Sequence, residues 1–252
     1  MSGTSGLDAN GRFAVPAGVE RVGPPVAFNP SYLRMAKGLD PQLPVTPFVM
    51  YGVAETIAAR GAEVIAEVVP SYFNRTYAHF SSHQHTPDDP EAAPLGLGAA
   101  IHGHVAYIAY PIFGMYQAMG QPLYKYLVRG LIRRLLPDPA LEADLPSAGR
   151  ATLTRQDGPG RHVLHLLYGP PQVRGKRVPN DNGTTRVMEM IEDVPAIGPV
   201  TARVRLPRPP SRVYDALTSL DIPWTAGPGG TVEVSLPRLH IHAAIVFEGT
   251  AQ

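Results

Sequence analysis

The sequence predicts a mixed chain, an α/β part followed by an all-β part built as an antiparallel β-sandwich. Three observations predict it. The run 104–113, His-Val-Ala-Tyr-Ile-Ala-Tyr-Pro-Ile-Phe, is nearly continuously apolar, as a strand buried on both faces of an α/β sheet would be. Residues 122–136 repeat their apolar positions at helical spacing. Beyond Pro146 short strand-like runs recur between Pro/Gly turns, and no helix-length period separates them. The switch divides the chain into 1–147 and 148–252.

Residues 1–47 are broken by Gly and Pro and carry no sustained period, which predicts loop with one short strand or turn. Residues 48–53 form a short apolar run and predict a strand. Residues 54–60 have helix-forming composition, and Gly61 follows at a stop position. Residues 63–69, Glu-Val-Ile-Ala-Glu-Val-Val, alternate and are β-branched, which predicts a strand. An acidic, proline-rich loop spans 86–94, and the run 104–113 then supplies a strand of a short parallel sheet. In the helix over 122–136, Pro122 suits the first turn. Tyr124, Leu127, Val128, Leu131, Ile132 and Leu135 share one face, and Lys125, Arg129, Arg133 and Arg134 take the other. Pro137 and Pro139 end it. In the second part, strands are predicted at 151–154, 162–168, 200–206, 212–217, 231–236 and 240–247, with one long loop over 169–198.

Composition excludes several function classes. The net charge of +1 gives no global field to attract nucleic acid or membrane. No run of eighteen apolar residues is present to span a bilayer, and no secretory signal is visible at residues 1–18. There are no cysteines, which excludes disulfides, thiolate metal sites and Cys nucleophiles, and fits a cytoplasmic location. The 28 prolines and 25 glycines make up about a fifth of the 252 residues, so many short elements and ordered turns are expected.

Chemistry concentrates in residues 71–87, where seventeen residues hold three His, two Tyr, two Phe, an Arg and an Asn. Such groups stack on sugar or base faces and hydrogen-bond hydroxyls. Three His-x-His pairs stand out: His83/His85, His102/His104 and His240/His242. On an extended strand such a pair shares a face and could grip a metal. With no Cys ligand and nothing to bring pairs together, no metal and no cofactor are expected. No Gly-x-Ser-x-Gly elbow marks a serine hydrolase. A glycosidase needs two placed carboxylates, yet the acidic residues sit mostly in loops, among them Asp88, Asp89, Glu91, Asp138, Glu142, Asp144, Glu192 and Asp193. A (β/α)8 barrel takes about 250 residues, which the two parts leave no room for.

The run Tyr72-Phe-Asn-Arg-Thr-Tyr-Ala-His-Phe-Ser-Ser-His-Gln-His-Thr-Pro87 closely resembles a motif of large glycoside hydrolases, the group once called hypothetical glycoside hydrolases that includes α-L-fucosidases. Collinear matches are Thr4-Ser5 with Asp8 and Gly11, Pro47-Phe-Val-Met-Tyr51, Tyr107-Ile-Ala-Tyr-Pro-Ile-Phe113, Leu135-Leu-Pro-Asp-Pro139, His162-Val-Leu-His-Leu-Leu167 and Ile191-Glu-Asp-Val-Pro195. The set covers nearly the whole chain. In that family a barrel carries catalysis. A β-galactosidase trimerisation-like domain follows it, with a flavodoxin or class I amidotransferase-like fold, and then a C-terminal β-sandwich. The resemblance implies that this sequence corresponds to a partial trimerisation-like α/β domain over 1–147 and the sandwich over 148–252. The barrel and the first half of the amidotransferase-like domain have no counterpart here, the span 12–25 is shortened, and His102 and His104 match nothing in the pattern. The missing cysteine rules out amidotransferase-type catalysis.

These readings make the chain the non-barrel, C-terminal portion of an α-L-fucosidase-like glycoside hydrolase. It would support oligomerisation, wall a sugar-binding site and be inactive alone. Tyr72, Asn74, Arg75, His79, His83 and His85 are the residues expected to face the sugar, and no catalytic residue is assigned. The expected partners are a carbohydrate and either further copies of the chain or a barrel-bearing chain, with no nucleic acid and no membrane. The competing reading is a stand-alone, non-catalytic carbohydrate-binding or assembly protein.

Overall fold

The computed structural model describes residues 1–36 and 38–251. With 37% of the chain in strands and 10% in helices, it is mainly β. It divides into two compact units, Met1–Pro137 and Asp138 onward. The division lies ahead of the switch at 147/148 because Leu141–Ala143 pairs within the second unit. Among the described residues no helix is long and apolar enough to cross a membrane.

Among the described residues the first unit holds seven strands followed by two helices. The strands are β1 (Val19–Arg21), β2 (Ser31–Met35), β3 (Phe48–Met50), β4 (Ile57–Ala59), β5 (Glu63–Val69), β6 (Gly96–His102) and β7 (Val105–Ile108). The helices are α1 (Ile112–Met119) and α2 (Pro122–Leu135). Five strands make one sheet in the order β3-β2-β5-β6-β7, and each of its pairings is antiparallel. The short parallel sheet expected of a partial flavodoxin-type layer is therefore corrected. Parallel neighbours need a crossover of a dozen or more residues, usually a helix, and here both helices come after the last strand. Instead β6 turns into β7 through Gly103 and His104 alone, with Gly103 in the left-handed region at φ 55°.

Three local expectations also change. Residues 54–60 are not helical; Ile57–Ala59 is β4, paired with β1. Helix propensity is a weak prior that tertiary pairing overrides. The apolar run 104–113 splits into β7 and the start of α1, since periodicity alone cannot assign a short apolar run. Strand β6 went unread because its Gly-Leu-Gly-Ala-Ala core has low strand propensity. Those small residues suit a central strand in close contact: a Cβ at Gly98 would collide with the Leu33 side chain.

The core of this unit gathers Leu33, Met50, Ile65, Val68, Ala99, Tyr107 and Tyr110 from the sheet region with Ile112, Met115, Tyr124, Leu127 and Leu131 from the helices. Ile132, expected on the buried face of α2, is exposed. Arg129 of α2 grips Asp40 twice, Nε to Oδ2 at 2.7 Å and an Nη to Oδ1 at 2.6 Å. The Asp40 side chain has 0% exposure. The hydrogen bonds from Arg129 hold its carboxyl below the ordinary range against the opposing effect of burial.

The edge of β7 is covered. Residues 1–3 lie along it: Ile108 N–H donates to the Met1 carbonyl and Gly3 N–H to the Ile108 carbonyl. Beside that edge an apolar cleft of about 440 Å³ is lined by Val105, Ile108, Phe113, Val128, Ile132 and Leu135, among others.

The second unit contains β8 (Leu141–Ala143), β9 (Gly149–Gln156), β10 (Arg161–Tyr168), β11 (Gln172–Val173), β12 (Val178–Pro179), β13 (Thr185–Arg186), β14 (Glu189–Met190), β15 (Val200–Arg205), β16 (Arg212–Asp215), β17 (Trp224–Ala226), β18 (Thr231–Leu236) and β19 (His242–Glu248). Two four-stranded antiparallel sheets, β16-β19-β10-β9 and β17-β18-β15-β8, share one apolar core. Leu164, Leu166, Ile245 and Phe247 enter from one sheet, and Ala202, Val204, Val232 and Val234 from the other. Strands β15 and β18 alternate and bury one face, as antiparallel strands facing a single core do, whereas β10 and β19 are buried on both faces, with Val163, Ala244 and Val246 in a second small cluster. The span read as a long loop carries two short ribbons, β11-β14 and β12-β13.

Candidate functional site

The polar-aromatic segment is the connection between β5 and β6, and it divides into a fixed base and an open tip. At the base, Ser71 and Asp88 form an antiparallel bridge. Tyr72 N–H donates to the Pro87 carbonyl at 3.1 Å, and Asp89 N–H to the Pro70 carbonyl at 3.0 Å. Buried side chains of the sheet reach up to hold it. The Tyr32 hydroxyl, on β2, donates to the Thr86 carbonyl at 2.7 Å. Burial pushes the Tyr32 phenol up from its ordinary value, and the charges of Asp88 and Tyr51 add to the rise. Just after β3, the Tyr51 hydroxyl meets His85 Nε2 at 2.7 Å, with the rings edge to face at 5.0 Å.

The six residues expected to face a sugar take different places. Asn74 is engaged on both sides of its amide: Nδ2 donates to the Ala27 carbonyl at 2.9 Å, and Oδ1 accepts from Asn29 N–H at 3.0 Å. Arg75 donates to the Gln84 carbonyl at 2.7 Å, bracing the loop across its own width. His79 stacks on Phe73, with ring centres 3.7 Å apart and planes at 15°. His85 is half-buried against Tyr51, while Tyr72 and His83 are exposed. No hydrogen bond or ring contact joins any two of the six among the described residues.

The tip carries more aromatic surface than those six suggest. Tyr77 is 99% exposed and Phe80 64%. Tyr72, His79 and His83 are exposed as well, and exposed rings of this kind can stack on the apolar face of a sugar while imidazole groups reach hydroxyls. Tyr77 and Phe80 were in view in the sequence; the signal that could have singled them out is a large apolar ring inside a polar loop. Tyr51 and Tyr32 could not be found that way, because Tyr32 on β2 and Tyr51 just after β3 lie far from the motif in sequence.

The His-x-His pairs do not act as pairs. His102 closes β6, its Nδ1 3.3 Å from the Gly61 carbonyl, and His104 sits in the turn. His242 instead meets His165 of the neighbouring strand, its Nε2 3.3 Å from His165 Nδ1, while His240 lies outside the strand and is exposed. Among the described residues no cluster of three or more His, Cys, Asp or Glu is arranged to hold a metal ion.

No protein-family model matches the chain, and no curated protein matches it. Among solved structures, α-L-fucosidase isoenzyme 2 from Paenibacillus thiaminolyticus shares its fold with a TM-score of 0.86 and 32% identity. The chain is related to part of a glycoside hydrolase. The match covers 98% of this chain and 36% of that fucosidase, so the chain spans little more than a third of its length. Two β-galactosidases lie much further off. The enzyme from Bacillus circulans sp. alkalophilus has a TM-score of 0.44 at 12% identity over 91% of this chain and 24% of its own. Gan42B, a GH42 enzyme, has 0.46 at 9% identity over 98% and 27%. Likenesses that weak carry no argument about this chain.

Proposed function

We propose that this chain is the non-barrel portion of an α-L-fucosidase-like glycoside hydrolase, in which the loop from Ser71 to Asp88 walls the sugar site. The observation that carries the reading is the 32% identity to an α-L-fucosidase maintained over 98% of this chain. In these terms the first unit corresponds to part of the family's trimerisation-like domain and the second to its C-terminal β-sandwich. The sequence motif with the densest sugar-binding chemistry is also the most exposed aromatic loop of the first unit, as a wall of a site shared with another body would be. Tyr72, His79, His83 and His85 are the expected sugar contacts from the original six, joined by Tyr77 and Phe80. Asn74 and Arg75 hold the loop's shape. Phe113, Met119, Ile132 and Leu136, all exposed on or beside the two helices, supply apolar surface for self-association or for a barrel-bearing partner.

Hydrolysis through an oxocarbenium-like state needs an acid and a nucleophile or base flanking the bond, about 5–5.5 Å apart in retaining enzymes and 6.5–9.5 Å in inverting ones. The 252 residues alone are therefore expected to give no turnover of aryl α-L-fucosides above background. Mixing with a barrel-bearing chain that carries the carboxylates should restore it. Turnover by the lone chain that a single Asp or Glu substitution abolishes would overturn the proposal. The alternative of a stand-alone binding protein is favoured if the lone chain binds L-fucose while no barrel chain confers activity on it.

A further inference from the structure

The contact between Tyr51 and His85 joins two motif segments 34 residues apart, and it constrains His85 more tightly than any other histidine of the loop. Tyr51 is itself anchored: its backbone N–H donates at 3.1 Å to the hydroxyl of Tyr124, which is wholly buried. The backbone after His85 is fixed as well, through the Tyr32 hydroxyl on the Thr86 carbonyl. Ring and main chain of His85 are thus held from two strands. His79 and His83 have no hydrogen bond to a ring nitrogen among the described residues.

The 2.7 Å separation allows one proton between phenol oxygen and imidazole Nε2. A phenol O–H is the stronger acid and a neutral imidazole nitrogen the stronger acceptor, so the phenol donates. A neutral imidazole that accepts at Nε2 carries its own proton at Nδ1. We propose that Tyr51 is a positioning residue that holds His85 as the Nδ1–H tautomer, so that His85 offers a ligand a hydrogen-bond donor and not an acceptor. This rests on the reading of the loop as the wall of a sugar site, and it narrows what that site accepts. A sugar hydroxyl meeting His85 must accept through its oxygen and send its own proton elsewhere. A protonated amine at the same ring position has no lone pair to offer and is rejected.

The test is long-range proton–nitrogen correlation NMR on the 15N-labelled 252-residue chain at neutral pH, with His85→Gln identifying the resonances of His85. His85 is expected to show the Nδ1–H pattern. His79 and His83 should show mainly Nε2–H, the form a free imidazole prefers. Tyr51→Phe, which keeps the ring and the backbone bond to Tyr124, should convert His85 to mainly Nε2–H and leave the other two unchanged. An Nε2–H pattern for His85 in the unmodified chain, or no change in Tyr51→Phe, overturns the proposal whatever the loop binds. A second arm adds L-fucose to the chain assembled with a barrel-bearing partner. Movement of the His85 Nδ1–H resonance supports donation to the sugar. If that resonance stays still while the His83 resonances move, donation by His85 is overturned and the sugar site stands. If fucose moves neither, both the donation and the sugar-site reading fall.

Discussion

The base and the tip of one loop, from Ser71 to Asp88, are made of the same residue types and do opposite work. At the base, polar groups are engaged within the protein: Asn74 ties to Ala27 and Asn29, Arg75 to Gln84, and Nε2 of His85 to Tyr51, which leaves His85 only Nδ1 to offer. At the tip, Tyr77, Phe80 and His83 point outward and touch little. A rigid base under an exposed aromatic tip is what a binding wall needs, because a side chain pre-ordered by its support loses little freedom on binding. Residue type alone does not separate the two roles; the partner does.

The contrast can be broken first from below. Asp40→Asn removes the buried partner of Arg129, which ties the segment after β2 to α2. A loss of about 3 kcal/mol in unfolding free energy is expected, read by denaturant titration. The pH dependence has a definite sign. The folded carboxyl of Asp40 titrates below its unfolded value of about 3.9. Its contribution is therefore complete above that unfolded value and is lost as pH falls through the lower, folded one. The melting-temperature gap between Asp40→Asn and the unmodified chain should narrow only on strong acidification and stay constant across neutral pH.

At the base itself, Asn74→Ala forfeits the bonds to Ala27 and Asn29 and should cost about 1–2 kcal/mol. Tyr32→Phe removes one hydrogen bond and should cost about 1 kcal/mol. At the tip, Tyr77→Ala and Phe80→Ala should each change stability by less than about 0.5 kcal/mol. Equal destabilisation at base and tip would show that the tip is packed, and the distinction would fail.

Much of the scaffold was legible. Strand β5 stands where alternation placed it, and α2 spans all but the last of its predicted residues. The principal strands of the second unit, β9, β10, β15, β18 and β19, follow their runs within a few residues. What was lost has physical causes. The small residues of β6 give no strand signal until Leu33 is seen packed against Gly98. The helix expected over 54–60 would have stood between two strands as a parallel crossover does; with β4 in its place, the neighbouring strands pair antiparallel. For the site, the segment was plain and its internal division was not. Whether Asn74 faces a sugar or Ala27 depends on a contact 47 residues away, and Tyr51 reaches His85 only once β3 is laid beside β2.

The central claim is that the exposed side chains of the tip carry most of the binding to the sugar. Kinetics of the fucosidase assembled from this chain and a barrel-bearing partner test it most directly, comparing Tyr77→Ala/Phe80→Ala/His83→Ala with Tyr32→Phe on an aryl α-L-fucoside. Stacking and hydrogen bonds worth about 1.5–3 kcal/mol together should raise KM roughly ten- to a hundredfold in the tip variant at an unchanged melting temperature. Tyr32→Phe should lower the melting temperature and leave KM within about twofold. A tip variant with the KM and kcat of the unmodified enzyme would contradict the account.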